Sequence, residues 1–366
     1  MRVGLELTGL ELDASGSARA ITALRDELGR RPELELATLA QPGAPEDGRR
    51  GVGSRLRRGL ARELLYLPVA LPRRARRLGL DVLHCPVPLA PPRSRVPVVV
   101  TAHDAIAWDR PEWLTRANAL HGRMVVGPIL RRAAAVLTPS EHARTRLVAR
   151  ANLDPERVHV APWGMDPRFS PGPRPDAVLG RLGVPGPYLL TVGTLQPRKN
   201  VEALVRAFEA LAGNGAEHHL VVVGARGWLD EALVGLLRSS TLAERIHVTG
   251  RVPDHDLVGL YRGAECFVFP SRYEGFGFPP LEAMACGAPV VSSDRTSLPE
   301  VVGDAAVLVD PDDSVALEHA LGEVLGSASR RTELSARGLE RAALFTWRRC
   351  AELCVAAYRR ALAARD

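Results

Sequence analysis

The sequence predicts an α/β protein of two doubly wound domains, each a parallel sheet with helices on both faces, and three observations carry that prediction. At 366 residues the chain exceeds what one hydrophobic core commonly serves. Short β-branched runs alternate with helix-period segments along most of its length. Near the middle, a stretch rich in proline and glycine interrupts the alternation.

Strands are expected at Arg2–Leu7, Val98–Thr101, Ala135–Thr138 and Val158–Ala161 in the first half. In the second half they are expected at Tyr188–Val192, Leu220–Val223, Ile246–Thr249, Cys266–Phe269 and Pro289–Ser292. These runs are apolar without alternation, the pattern of strands buried on both faces in βαβ units. Pro167–Tyr188 holds six internal prolines and four glycines, which places the linker there. The expected domains are residues 1–175 and 176–345, followed by a C-terminal helix in 346–366. Helices are expected at Ser314–Leu325, Ser329–Phe345 and Trp347–Ala364. The last carries an apolar stripe of Trp347, Cys350, Leu353, Cys354, Ala357 and Tyr358, which needs a surface to cover; packing across the domain junction would supply one.

Composition excludes several classes. No segment approaches the roughly 20 apolar residues that span a bilayer. Glu6, Glu11 and Asp13 stand where a signal peptide needs an uncharged apolar run, so a cytoplasmic protein is expected. Five cysteines without CxxC spacing suggest neither a disulfide framework nor a zinc site. The net charge of +6 is uneven, because Arg49 to Arg77 contains ten arginines against the single acid Glu63. With interleaved leucines this run suits an anionic membrane surface, placing the protein at the inner face of the cell membrane, or else it is a solvated helix face. Tyr66 is its one aromatic, and no base-stacking platform or recognition helix accompanies it, so nucleic acid is not an expected partner.

In open parallel sheets ligands bind beyond the carboxyl ends of strands, which directs attention to four segments. Gly193-Thr194-Leu195-Gln196-Pro197-Arg198-Lys199 follows the strand Tyr188–Val192 and precedes a helix. Gly193 permits close backbone approach, and Lys199, the sole lysine, with Arg198 brings positive charge to a helix start suited to a diphosphate. The bland alternative is a surface Lys-Arg pair. Glu274-Gly275-Phe276-Gly277-Phe278-Pro279-Pro280-Leu281-Glu282 follows the strand Cys266–Phe269. It sets two carboxylates eight residues apart across a glycine-broken turn, able to reach hydroxyls of one ligand while the Gly275–Phe278 amides face the same space. Otherwise Glu274 is a cap and Glu282 a helix-dipole partner. His103, in Thr101-Ala102-His103-Asp104, follows the strand Val98–Thr101, with Asp104 placed to orient its ring; a satisfied polar histidine is the alternative. Gly16 lies in Asp13-Ala14-Ser15-Gly16-Ser17-Ala18 after the first strand, in a segment that an ordinary helix N-cap also explains.

EGFGFPPLE, followed by AMACGAPVVSSD and SLPEVVGDAAVLVDP, resembles the donor-site signature of glycosyltransferase family 4, retaining enzymes of the GT-B fold, and GTLQPRKN is similar to their phosphate motif. The resemblance implies two Rossmann-like domains facing a central cleft, an acceptor-binding first domain and a nucleotide-sugar-binding second one. It implies that Glu274 contacts the transferred sugar, Glu282 the ribose, Lys199 the diphosphate, and the Gly275 to Phe278 amides the sugar and phosphate oxygens. Gly250-Arg251-Val252 matches the position that binds the base, so Arg251 and Val252 join the donor residues. His103 would hydrogen-bond the donor sugar near the reacting carbon, and Gly16 matches the key glycine of a phosphate- and acceptor-facing loop. Thr194 stands where many members carry arginine, so charge neutralisation rests on Lys199 with Arg198.

The implied reaction moves a hexose, most readily mannose from GDP-mannose, to a glycan or lipid-linked acceptor. Cleaving an anomeric C–O bond leaves negative charge on the nucleotide diphosphate, which Lys199 and helix N-termini can meet. Asp310-Pro311-Asp312 and Asp254-His255-Asp256 are read as turns rather than metal ligands, so no metal and no cofactor are expected. Rival readings are a sugar-nucleotide epimerase or a catalytically silent subunit of the same fold. A dinucleotide oxidoreductase lacks its GxGxxG.

Overall fold

The structure is a computed structural model that describes residues 1–8, 16–41, 59, 61–173, 176–184, 186–225, 227, 235–237 and 240–364. The chain divides into two compact units, Met1–Gly164 with Thr346–Asp366, and Met165–Phe345. Each holds a six-stranded parallel sheet.

In the first unit the strands are β1 (Arg2–Glu6), β2 (Glu35–Leu39), β3 (Val82–Cys85), β4 (Val98–Thr101), β5 (Ala135–Thr138) and β6 (Val158–Val160), in the order β2-β1-β3-β4-β5-β6. In the second they are β7 (Tyr188–Val192), β8 (His219–Val223), β9 (Ile246–Gly250), β10 (Cys266–Phe269), β11 (Val290–Ser293) and β12 (Val307–Val309), in the order β12-β11-β10-β7-β8-β9. The central strands β3, β5 and β10 are buried at every residue, which is why their sequences do not alternate. Apolar side chains fill both faces. Helix Val201–Gly213 lays Leu204, Val205, Phe208 and Leu211 on β7, β8 and β10 in the second unit. Each such side chain, fully buried, contributes about 1.5–3 kcal/mol.

The division between units falls earlier than the expected 175, and residue pairing explains why. Met165 N–H donates to the Phe345 carbonyl at 2.8 Å, and Arg262 Nε donates to the Ser170 carbonyl at 2.7 Å, so the prolines that follow belong to the second unit. Residues 346–366 belong to the first unit. Thr346 Oγ1 caps the helix Trp347–Ala363 by accepting from Arg349 N–H at 3.2 Å. The stripe Cys350, Cys354, Ala357 and Tyr358 then packs with Val3, Val82, Val99 and Leu137 against the first sheet. Tyr358 hydroxyl meets His84 Nδ1 at 2.7 Å, and His84 Nε2 meets Thr101 Oγ1 at 2.8 Å. Burial pushes the His84 pKa down to about 3, so this ring is a neutral core bridge.

Candidate active site

Strand order in the second sheet reverses between β7 and β10, with β8 and β9 added on one side and β11 and β12 on the other. A crevice forms outside the carboxyl ends of such a pair, because the connecting segments leave in opposite directions. The segments that follow β7 and β10 hold Lys199 and Glu274.

After β7 the chain passes Gly193 and makes a single 3-10 turn, Pro197–Lys199, before Asn200, with φ 55°, starts the helix Val201–Gly213. A Cβ on Gly193 would lie 3.3 Å from Lys199 Cε, so the absent side chain leaves room for the lysine stem. This turn is stitched to the segment after β10: Arg272 N–H donates to the Arg198 carbonyl at 2.7 Å, and Ser271 Oγ donates to the same oxygen at 3.1 Å. Lys199 Nζ lies 2.6 Å from Glu274 Oε1, and Arg198 Nη1 lies 3.0 Å from Glu274 Oε2 and 2.9 Å from the Tyr273 carbonyl. Ser271 Oγ adds a 2.6 Å hydrogen bond to Glu274 Oε1. Lys199 and Glu274 side chains are only 10% and 11% exposed, and the ammonium sits 4.7 Å from the Phe269 ring centroid.

Burial alone would raise the Glu274 carboxyl, but the Lys199 and Arg198 charges hold it well below the ordinary carboxylate range. Burial and the neighbouring Arg198 push Lys199 down to about 8, against the opposing pull of Glu274. Two cations thus meet one anion, a local excess of positive charge in a dry setting where an additional anion is strongly attracted.

The turn beyond Glu274 is fixed by its backbone. Glu274 N–H donates to Thr296 Oγ1 at 3.1 Å, and Ser297 Oγ donates to the Glu274 and Phe276 carbonyls at 3.0 and 2.6 Å. Gly277 adopts φ +137°, and a Cβ there would come within 2.9 Å of Leu298 Cδ2, so only glycine fits. Phe276 and Phe278 rings meet edge to face at 5.3 Å. The helix Phe278–Ala285 carries Glu282, whose buried Oε2 accepts from the Tyr261 hydroxyl at 2.9 Å. Glu274 and Glu282 thus have different hydrogen-bond partners within the protein. Arg251 and Val252 follow the edge strand β9, two strands from β7 and so about 10 Å across the sheet. Thr194 is exposed in the loop after β7. Both DxD triplets are engaged by arginines: Asp310 by Arg295 at 2.6 Å, Asp312 by Arg272 at 2.7 Å, Asp254 by Arg168 at 3.1 Å and Asp256 by Arg181 at 2.5 Å.

His103 and Gly16 belong to the first unit. His103 follows β4, its Nε2 3.1 Å from the Pro86 carbonyl and its ring edge-on to Trp163 at 4.9 Å. Asp104 Oδ1 accepts from Ile106 N–H at 3.0 Å, the local turn that starts the next helix. Gly16 is the first residue of the helix Gly16–Gly29, while Asp13 to Ser15 lie outside the described residues. Sequence reasoning passed over Glu6, the buried last residue of β1, whose Oε1 accepts from Thr8 N–H at 3.0 Å, Tyr66 hydroxyl at 3.3 Å and Thr8 hydroxyl. An acid ending an apolar strand was the signal. It also passed over Tyr261, Ser271 and Ser297, which nothing short of the fold connects to the site.

The family model described as Glycosyl transferases group 1 matches residues 182–341, and that described as Glycosyltransferase Family 4 matches residues 14–169. Among curated proteins the chain is 36% identical over 266 residues to O-antigen chain mannosyltransferase B of Escherichia coli, covering 71% of this chain and 70% of that protein. It is 30% identical over 238 residues to the serotype-specific mannosyltransferase WbdA of Escherichia coli, covering 63% of this chain but only 29% of that longer protein. Sucrose-phosphate synthase from Thermosynechococcus elongatus superposes with a TM-score of 0.79 at 22% identity over 100% of both chains, a likeness of fold. The chain belongs to glycosyltransferase family 4 and is a glycosyltransferase of the GT-B fold.

Proposed function

We propose that this enzyme transfers mannose from GDP-mannose to a glycan or lipid-linked acceptor, with retention of the anomeric configuration. The contact of Lys199 and Arg198 with Glu274 at the β7/β10 reversal carries the reading. The two cations neutralise the departing diphosphate, and Glu274 accepts from hydroxyls of the transferred sugar. Similarity to a mannosyltransferase over 71% of the chain supports the choice of sugar. Glu282 serves the ribose, Arg251 and Val252 the base, and Gly193, Thr194 and the Gly275–Phe278 backbone line the donor. His103 contacts the sugar, and Gly16 borders the acceptor side. The acceptor attacks from the face the nucleotide leaves, and the leaving phosphate oxygen takes its proton; no metal is needed because the cations are supplied by side chains.

A thermal-shift panel of GDP, UDP, ADP and dTDP tests the donor. GDP is expected to stabilise most, through binding linkage, and a larger shift with another nucleotide replaces guanine. An inverted product anomer by NMR would refute retention.

A peripheral association with anionic membrane is also proposed. Residues 49–58 and Leu60 of the arginine-rich stretch lie outside the described residues, but the helix Arg62–Ala70 exposes Leu64 and Leu65 by 67% and 65%. The neighbouring helical segment 116–126 exposes Leu120 and Met124 by 62% and 67%, and His121 Nε2 lies 3.5 Å from Glu63 Oε1 between the two. Exposed apolar side chains on segments that also carry the exposed Arg116 and Arg123 suit a headgroup boundary. Vesicle sedimentation with and without anionic lipid checks this; absence of lipid-dependent pelleting ends it.

A further inference from the structure

A cavity of about 460 Å³ opens beside the amino ends of β4 and β5, the edge of the first sheet opposite Thr101 and His103. Among the described residues its lining includes Arg93, Arg95, Arg132 and Arg157, and no acidic residue. One guanidinium is preset: Arg157 Nη1 donates to the carbonyls of Arg131 and Ala133 at 3.3 and 3.1 Å, with Nε 3.5 Å from Asp154. Among the described residues, the exposed Arg93, Arg95 and Arg132 have no carboxylate partner. Their backbone is nonetheless constrained. Pro97 closes the segment that carries Arg93 and Arg95, and Val96 N–H donates to Ser94 Oγ at 3.1 Å.

Arg157 already has Asp154 beside it, which leaves the three guanidiniums of Arg93, Arg95 and Arg132 as like charges around one concavity that an anion would offset, and planar guanidiniums match phosphoryl oxygens two at a time. The volume falls in the range of small-molecule sites. We infer that this cavity binds a compact polyanion bearing two or more phosphoryl groups, at a site separate from the donor and acceptor positions. The strand β4 spans roughly 10 Å between this edge and Thr101, so a ligand here does not touch His103. The inference is independent of which sugar is transferred.

Isothermal titration with inorganic tripolyphosphate tests it, using the full chain and the variants Arg93→Ser/Arg95→Ser/Arg132→Ser and Lys199→Ala. The wild type is expected to show a binding step that weakens with added salt, survives Lys199→Ala and is lost at least tenfold in affinity in the triple variant. Because the three arginines are exposed, the triple variant should unfold at the same urea midpoint as the wild type. The charge-keeping variant Arg93→Lys/Arg95→Lys/Arg132→Lys should bind with intermediate affinity. Equal binding by the triple-serine variant, or no binding by the wild type up to about 1 mM, overturns the inference. So does pelleting with phosphatidic-acid vesicles that depends on these arginines without any response to tripolyphosphate, which would assign the surface to lipid headgroups.

Discussion

Glu6 and Glu274 are both buried glutamates at the point where strand order reverses, Glu6 ending β1 beside β3 and Glu274 following β10 beside β7. Their titration runs in opposite directions. Burial raises Glu6 above its ordinary value, outweighing the hydrogen bonds from the Thr8 N–H and the Thr8 and Tyr66 hydroxyls and the weaker pull of the Arg62 charge. Glu274 is lowered despite its burial because two cations touch it. Topology thus chooses where a carboxylate sits, while cations within contact distance decide in which direction its pKa moves. The second sheet carries an ion cluster at its reversal, the seat proposed for the diphosphate and sugar; the first carries a carboxyl group hydrogen-bonded by hydroxyls.

The strongest way to break this comparison is on activity. Lys199→Ala removes a charge aimed at the leaving group, and kcat for sugar transfer should fall about 10²–10³-fold. Steady-state assays giving a value within severalfold of the wild type would place the leaving-group charge elsewhere. Stability comes next. Glu274→Gln strands two cations and should cost about 3–5 kcal/mol in urea unfolding. Glu6→Gln keeps an acceptor for the same hydroxyls and should stay within about 1 kcal/mol of the wild type at neutral pH. Equal losses would erase the distinction.

The pH dependence sharpens the comparison further. Glu274 has a lowered native pKa, so its contribution is fully present above the ordinary 4.5 and is lost as pH falls through the lowered native value. Glu6 has a raised native pKa, so its protonated form is favoured on folding; that contribution is present below 4.5 and disappears as pH rises through the raised value. Acid unfolding of the Glu274→Gln variant should therefore start from lower stability and lose less between pH 5 and 2 than the wild type. Lys199, lowered to about 8, loses its charge as pH rises past that value, so nucleotide affinity should weaken between pH 7 and 9. In Lys199→Arg that decline should vanish, as read by calorimetry. The smallest effect belongs to Tyr261→Phe, which removes the hydrogen bond to Glu282 and should weaken nucleotide binding by severalfold, about 0.5–1.5 kcal/mol.

The fold was legible where burial left a continuous apolar run: β4, β5, β7 and β10 coincide with such runs to the residue. β3 was not, because His84 interrupts it, and only the distant Tyr358 and Thr101 make a buried imidazole acceptable there. β2 presents partly exposed residues beside β1, and β12 is three residues long, too short to show a period. The ion cluster was legible in part, since local motifs named Lys199 and Glu274, but their separation by 75 residues hides the contact. The protein partners of Asp104 and Glu282 were not legible either, since Ile106 N–H reaches Asp104 through a local turn and the Tyr261 hydroxyl reaches Glu282 from another helix.

The central claim is that the Lys199–Glu274 cluster seats a nucleoside diphosphate. Calorimetric titration of GDP into the wild type and Lys199→Ala, each shown folded by urea unfolding, tests it most directly. Measurable binding is expected for the wild type and at least a tenfold weaker Kd for the variant, corresponding to about 1.4 kcal/mol or more. Equal affinity for GDP in the two proteins would contradict it.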